Sequence, residues 1–127
     1  MILIIEYILS GLLIVVALVV LFDYRRKKMK YPKSIVTDDM EHCYLCGSSR
    51  WIEIHHIFGG ADRKNSTKYG LVVPLCHYCH NEPPNGVHFN RERMDHLRKI
   101  GQKAFEVNYP EENFLKIFHR NYLDEEE

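Results

Sequence analysis

No lysine or arginine precedes the first apolar run of this chain, and no small-x-small pair closes it. Those two absences set the expectation against a cleavable secretory leader, the main competitor of a membrane anchor, because a leader needs a positive start and a processing site. No internal repeat is visible, which excludes an array of stacked units. Net charge is lacking as well, since 17 Lys/Arg balance 17 Asp/Glu. The balance is uneven: residues 42–120 carry 11 Lys/Arg against 8 Asp/Glu, and the chain ends DEEE. That small excess is compatible with nucleic acid without arguing for it. Cysteine is scarce, with four residues, all beyond position 42.

What is present falls into two unlike parts. Residues 2–22, ILIIEYILSGLLIVVALVVLF, hold Glu6 as their only charge. A helix crossing the hydrocarbon core needs roughly 20 apolar residues, so the run is long enough to span. Five of the six residues from Arg25 to Lys30 are basic. Basic residues beside a span mark its cytoplasmic side, which predicts the amino terminus outside and the carboxyl domain in the cytoplasm. The expectation is a single-pass membrane protein; a wholly cytoplasmic chain is the alternative. The basic run also suits anionic lipid. The expected segments are a transmembrane helix over 1–23, a basic juxtamembrane segment and linker over 24–41, a domain over 42–122, and an acidic tail over 123–127.

A domain this small often needs a metal or disulfides to supplement a thin core. Reduced cysteines in a cytoplasmic domain more often bind metal than each other. Cys43-Tyr-Leu-Cys46 and Cys76-His-Tyr-Cys79 form two C-x-x-C pairs, 29 residues apart. Two such pairs present four thiolates to one tetrahedral ion, so structural Zn²⁺ on Cys43, Cys46, Cys76 and Cys79 is expected. Four sulfur ligands leave no open position for water or substrate. His42, His77 and His80 stand beside the pairs as possible substitutes for a cysteine.

Trp51–Ile57 alternates as a strand does, and Leu71–Leu75 is a second short apolar run. Between them GGADRKNSTKYG reads as a loop. After Asn90, a plausible N-cap, the period becomes helical, with Met94, Leu97, Ile100 or Gly101, Ala104 and Phe105 on one stripe. A second helix is expected to open at Pro110 with Glu111 and Glu112 in its first turn, burying Phe114, Ile117, Phe118 and Tyr122. These apolar stripes read as core. His96 and His119, on the two helices, read as ordinary surface or satisfied histidines.

His55 and His56 stand together at the end of Ile-Glu-Ile, just before Phe58-Gly59-Gly60. With His80 and with His88 in GVHFN, they make a second group that the zinc would help to gather. The combination of CxxC, HHIFGG, LVVPLCxxCH and GVHFN resembles the HNH endonucleases, the ββα-metal nucleases, and within them the small phage-type proteins. The resemblance covers roughly Glu41 to Tyr122. It implies a small α+β fold: a ββα-metal core stapled by the four-cysteine zinc site, then two helices, after one N-terminal transmembrane helix. It implies DNA as substrate, phosphodiester hydrolysis as reaction, His55 as ligand of a divalent ion and His56 as general base. His80 would open the short helix and supply a ligand; His88 is the candidate third, with Asn81 and Asn85 as rivals. In this reading the strand ends at His55, and the following turn lets both rings face one phosphate.

The residue types suit that chemistry. A hard divalent ion, Mg²⁺ or Mn²⁺, on neutral imidazoles offsets charge on a phosphate, and histidine holds a proton near neutral pH. Arg63, Lys64, Lys68 and Arg91, with Arg93, are candidate phosphate contacts; each is also explicable as a solvated charge. No small-molecule cofactor is expected, and oligomeric state is left open. One departure stands out: Leu71 occupies the position where the family usually has its middle Asn, and Asn65 has the wrong spacing to replace it. That favours a second reading, a membrane-tethered zinc module that binds nucleic acid or protein without catalysis.

Overall fold

The computed structural model describes residues 1–28 and 33–123, with side chains of 2, 3, 5, 6 and 23–28 left out. It divides into two units, Met1–Tyr31 and Pro32–Glu127. The first is one helix, α1 (Ile2–Lys28), 27 residues long. Leu, Ile and Val side chains from Leu9 to Phe22 are exposed on every face of it. No helix among the described residues is long and apolar enough to cross a membrane. The charges of Glu6 and Arg25–Lys30, on which the expected topology rests, have no described side chains, and the DEEE tail also lies outside the described residues.

The second unit is a small α+β domain. β1 (Ile52–His56) and β2 (Val72–Cys76) form an antiparallel pair, with Ile52 opposite Cys76 and His56 opposite Val72. A helical turn and α2 (Arg63–Lys68) fill the connection. β2 runs directly into α3 (His77–Asn81). Every residue of β2 is buried, as its unbroken apolar character demands.

Two further helices cover the hairpin. In α4 (Arg91–Asn108), the Asn90 side chain accepts from the Arg93 N–H at 3.0 Å, supplying the N-cap. Leu97, Gly101 and Phe105 form its buried stripe, and Gln102 is buried beside them. Gly101 rather than Ile100 occupies the tight position. A Cβ there would come within 2.9 Å of Ile57 Cγ2, so α4 rests directly on the residues that follow β1. α5 (Phe114–Phe118) starts four residues later than Pro110. Glu112 N–H closes a turn onto the Tyr109 carbonyl, and Asn113 caps the helix by accepting from Lys116 N–H at 2.9 Å. The acidic first turn belongs to that bend instead. Phe114 and Phe118 are buried and stack at 4.6 Å.

Part of the stretch expected as linker belongs to the fold. Ser34 is buried and donates to the Val72 carbonyl at 2.6 Å, and Ile35 N–H donates to the Gly70 carbonyl. Gly70 has φ +68°, and a Cβ on it would stand 2.4 Å from the Lys33 carbonyl oxygen. Only glycine meets both conditions without displacing that segment.

Candidate functional site

The hairpin and α3 assemble two clusters of potential metal ligands. In the first, the Sγ atoms of Cys43, Cys46, Cys76 and Cys79 all lie within 4.8 Å of one another, and no cysteine is in a disulfide. Cys46 and Cys76 are 3.6 Å apart. Tetrahedral zinc with bonds of about 2.3 Å separates its sulfurs by about 3.7 Å, so the spacing fits. Burial works to raise the Cys43 thiol, but N–H donors from Cys76, Cys46 and Leu45 outweigh it and bring it to about 7. Burial pushes Cys76 and Cys79 upward, with neighbouring thiols adding to the effect. Such a crowded group ionises fully only around a cation. The four cysteines can hold a metal ion such as zinc. None of the neighbouring histidines enters this cluster: His42 pairs with Asp39, while His77 and His80 turn to Glu53.

The second cluster is His55, His80 and His88, whose ligand nitrogens also lie within 4.8 Å of one another. His80 and His88 approach Nε2 to Nε2 at 3.1 Å. Three nitrogens on one ion at about 2.0–2.1 Å stand about 3.3 Å apart, close to that value. Nε2 of His55 is shut off from water and has no hydrogen-bond partner among the described residues. Leaving such an atom unsatisfied costs about 1–3 kcal/mol. A cation shared with His80 and His88 would use its lone pair. Burial, then the charges of His80, His88, His56 and Arg98, hold the His55 pKa down at about 3. His55 is therefore neutral at ordinary pH, the form that binds metal.

The rivals for the third position are occupied elsewhere. Asn81 Nδ2 donates to Glu53 Oε2, and Asn85 Nδ2 donates to the Tyr78 hydroxyl. His80 does not open α3; His77 does, and His80 sits in its last turn.

Glu53 is the residue that sequence reasoning left unassigned. It shares a face of β1 with His55, and its Oε2 accepts from His80 Nδ1 at 2.5 Å while Oε1 meets His77 Nδ1 at 2.9 Å. A carboxylate on Nδ1 fixes the tautomer and turns Nε2 toward the cluster. Hydrogen bonds from His77 and then His80 keep the Glu53 carboxyl below its ordinary range, so it stays ionised. Replacing Glu53 with Gln is expected to weaken divalent-metal binding at the histidines about 10–100-fold. Calorimetric titration of zinc-loaded protein measures this; unchanged affinity would remove Glu53 from the site.

His56 lies apart from this cluster. β1 continues through His56, so the two neighbouring rings leave opposite faces and do not turn together. The His56 Nε2 is 2.9 Å from Thr67 Oγ1, and that hydroxyl donates to the Arg63 carbonyl at 3.0 Å. With its one proton committed, Thr67 accepts from His56, which places the proton on Nε2 and leaves Nδ1 basic. Burial, followed by the nearby Arg63 charge, lowers the His56 pKa.

No family model, curated protein or solved structure matches the chain.

The connection that carries Leu71 is braced by Ser66. Its hydroxyl donates to the Leu71 carbonyl at 2.6 Å and accepts from Phe58 N–H at 3.3 Å. Leu71 N–H returns a bond to the Ser66 carbonyl, and Ile57 N–H bonds the Leu71 carbonyl. Asn65 does not take that part; its amide reaches the Ile117 carbonyl. A short hydroxyl eight positions into the loop carried no signal in the sequence.

The basic residues are dispersed. Arg63 and Lys64 open α2 on the surface, and the Arg63 charge is near enough to bear on His56. Lys68 lies against Tyr69, Arg91 pairs with Asp95 at 3.4 Å, and Arg93 holds the Asn85 carbonyl with Cys79 Sγ at 3.9 Å. Arg93 thus serves the cysteine cluster.

A pH dependence follows from His55. Unfolded, it takes a proton near pH 6.5; folded, not until about 3. The unfolded chain therefore binds more protons between those values, and stability rises with pH across that window. Stability should be full above about pH 6.5 and about 2 kcal/mol lower by pH 5. Urea unfolding at both pH values, with zinc on the cysteines and other divalent ions withheld, reads the difference. His55→Gln should remove most of it; an undiminished difference would assign the loss elsewhere.

Proposed function

We propose that the domain is a zinc-stapled, metal-dependent endonuclease of the HNH (ββα-metal) type, hydrolysing DNA phosphodiester bonds. The observation that carries the reading is the gathering of three histidines with ligand nitrogens within 4.8 Å of one another: His80 and His88, whose Nε2 atoms stand 3.1 Å apart, and the buried His55, whose Nε2 has no partner among the described residues. A protein that only binds has no use for three imidazoles arranged so. Mg²⁺ or Mn²⁺ on His55, His80 and His88 would supply Lewis-acid stabilisation of the phosphate and departing oxygen. His56, at the last residue of β1 and on the face opposite the three ligands, would take the proton of the attacking water through Nδ1 from the side of the phosphate away from the metal, as in-line attack requires, while Thr67 holds the ring in that tautomer. Arg63, Lys64, Lys68 and Arg91 supply positive charge along the duplex backbone. Zinc on the four cysteines holds β2 and α3 in place.

Residues 2–22 are proposed as a membrane tether that leaves the domain in the cytoplasm, on the argument of apolar length and flanking basic charge. The loop bracing by Ser66 weakens the case that Leu71 gave to a non-catalytic module. The test is the full chain in detergent with supercoiled plasmid and Mg²⁺ or Mn²⁺, beside an EDTA control and His55→Gln. Nicking lost in both controls supports the nuclease. No cleavage by folded, zinc-loaded protein across several divalent ions would replace it with the binding module.

A further inference from the structure

Two buried side-chain polar atoms lack a hydrogen-bond partner among the described residues, His55 Nε2 and Arg98 Nε. They are opposite in kind. The imidazole nitrogen offers a lone pair, which a cation satisfies; the guanidinium Nε carries a proton and can only donate, so it calls for an oxygen. Arg98 is held where it is from two sides. Its Nη1 donates to Asp95 Oδ1 at 3.1 Å, and its guanidinium carbon lies 5.6 Å from the centre of the Tyr122 ring. Tyr122 packs on Phe58 at 5.4 Å, and Gly101, one turn on from Arg98, packs on Ile57 and Phe58. Those two residues follow His55 and His56 directly, so α4 brings this arginine to the end of β1 that carries the histidines. Consistent with this, Arg98 is among the charges that depress the His55 pKa. Asp95 fixes the outer edge of the fork and leaves Nε free. Arginine with a fixed fork is suited to phosphate oxygens.

We infer that Arg98 Nε–H is the donor to a non-bridging oxygen of the phosphodiester bound at the histidine cluster. The inference rests on the nuclease reading for its substrate class. It adds a contact that the surface arginines and lysines do not make: a desolvated donor, with its orientation set before substrate arrives.

The test uses the full chain in detergent. In Arg98→Met, which keeps the length of the apolar stem, kcat for plasmid nicking is expected to fall about 100-fold or more, with KM changed much less. Arg98→Lys keeps the charge but has no Nε, and should recover only part of the loss; it also covers a folding failure of the methionine variant. A merely structural role would lower Tm and leave kcat in place. A second readout does not depend on turnover. The Arg98 Nε–Hε NMR signal, assigned by its absence in Arg98→Lys, is followed in His56→Ala with Mg²⁺ as thymidylyl-thymidine is added. A downfield shift supports the contact; an unmoved signal at every concentration, or wild-type kcat in both variants, overturns it. If the signal shifts while the unsubstituted protein nicks no DNA, the nuclease reading falls and the phosphodiester contact stands.

Discussion

Removing the metal from the four cysteines is expected to unfold residues 33–123 cooperatively. Structural zinc contributes on the order of 10–16 kcal/mol in small zinc domains, whereas a whole domain is stable by only about 5–15 kcal/mol. The hairpin here has two five-residue strands, too little sheet to persist alone. Cys43 and Cys46 fix the segment before β1, and Cys76 and Cys79 fix the junction of β2 with α3. Without the ion, four thiol groups crowd within 4.8 Å with nothing to bind them together. Near-ultraviolet circular dichroism and melting of the full chain, before and after a strong zinc chelator, measure the effect. Cys79→Ser should behave like the chelated protein. Cobalt in place of zinc should give the absorption of a tetrahedral four-sulfur site. A chelated protein with an unchanged melting curve would show that the cysteines hold no structural metal.

His56→Ala should lower kcat for plasmid nicking by about 10²–10⁴-fold, the usual contribution of a positioned general base. Metal affinity at the other three histidines should change little, because His56 lies on the other face of β1. The fold should survive, since the substitution removes one hydrogen bond, worth about 1 kcal/mol, to Thr67. Thr67→Val leaves the imidazole but frees its tautomer, so a smaller loss is expected. The depressed pKa of His56, from burial and then Arg63, has a directional consequence. The ring stays neutral to lower pH than a free imidazole, which places the acid limb of kcat/KM below about 6.5. A variant as fast as the parent would move the base elsewhere.

Spacing made the cysteine cluster legible, because two C-x-x-C pairs have few uses in a small reduced domain. The α4 helix was legible too, since cap and stripe agree at Asn90, Leu97 and Phe105. What escaped was set by tertiary partners. Glu53 alternates with isoleucines and reads as the wet face of a strand; its partners come from α3, 24 to 28 residues later. Pro110 and two glutamates have the composition of a helix start, yet Asn113 makes the better cap and the turn before it takes them. Ser34 and Ser66 brace backbone carbonyls that no pattern announces. Adjacency suggested that His55 and His56 share a face; the strand period separates them.

The five residues of α3 join the two clusters. Cys76 immediately precedes it, Cys79 and His80 are consecutive within it, and Asn81 ties its end to Glu53. Cys79 and His80 share one short helix, so what fixes the one bears on where the other stands. A metal taken up by the thiols would therefore also steady the imidazoles. Oxidants that capture the cysteines would dismantle the histidine centre without touching it, and loss of the divalent ion would leave the fold intact. Zinc supply is then expected to govern both clusters, and a divalent ion at the histidines only one.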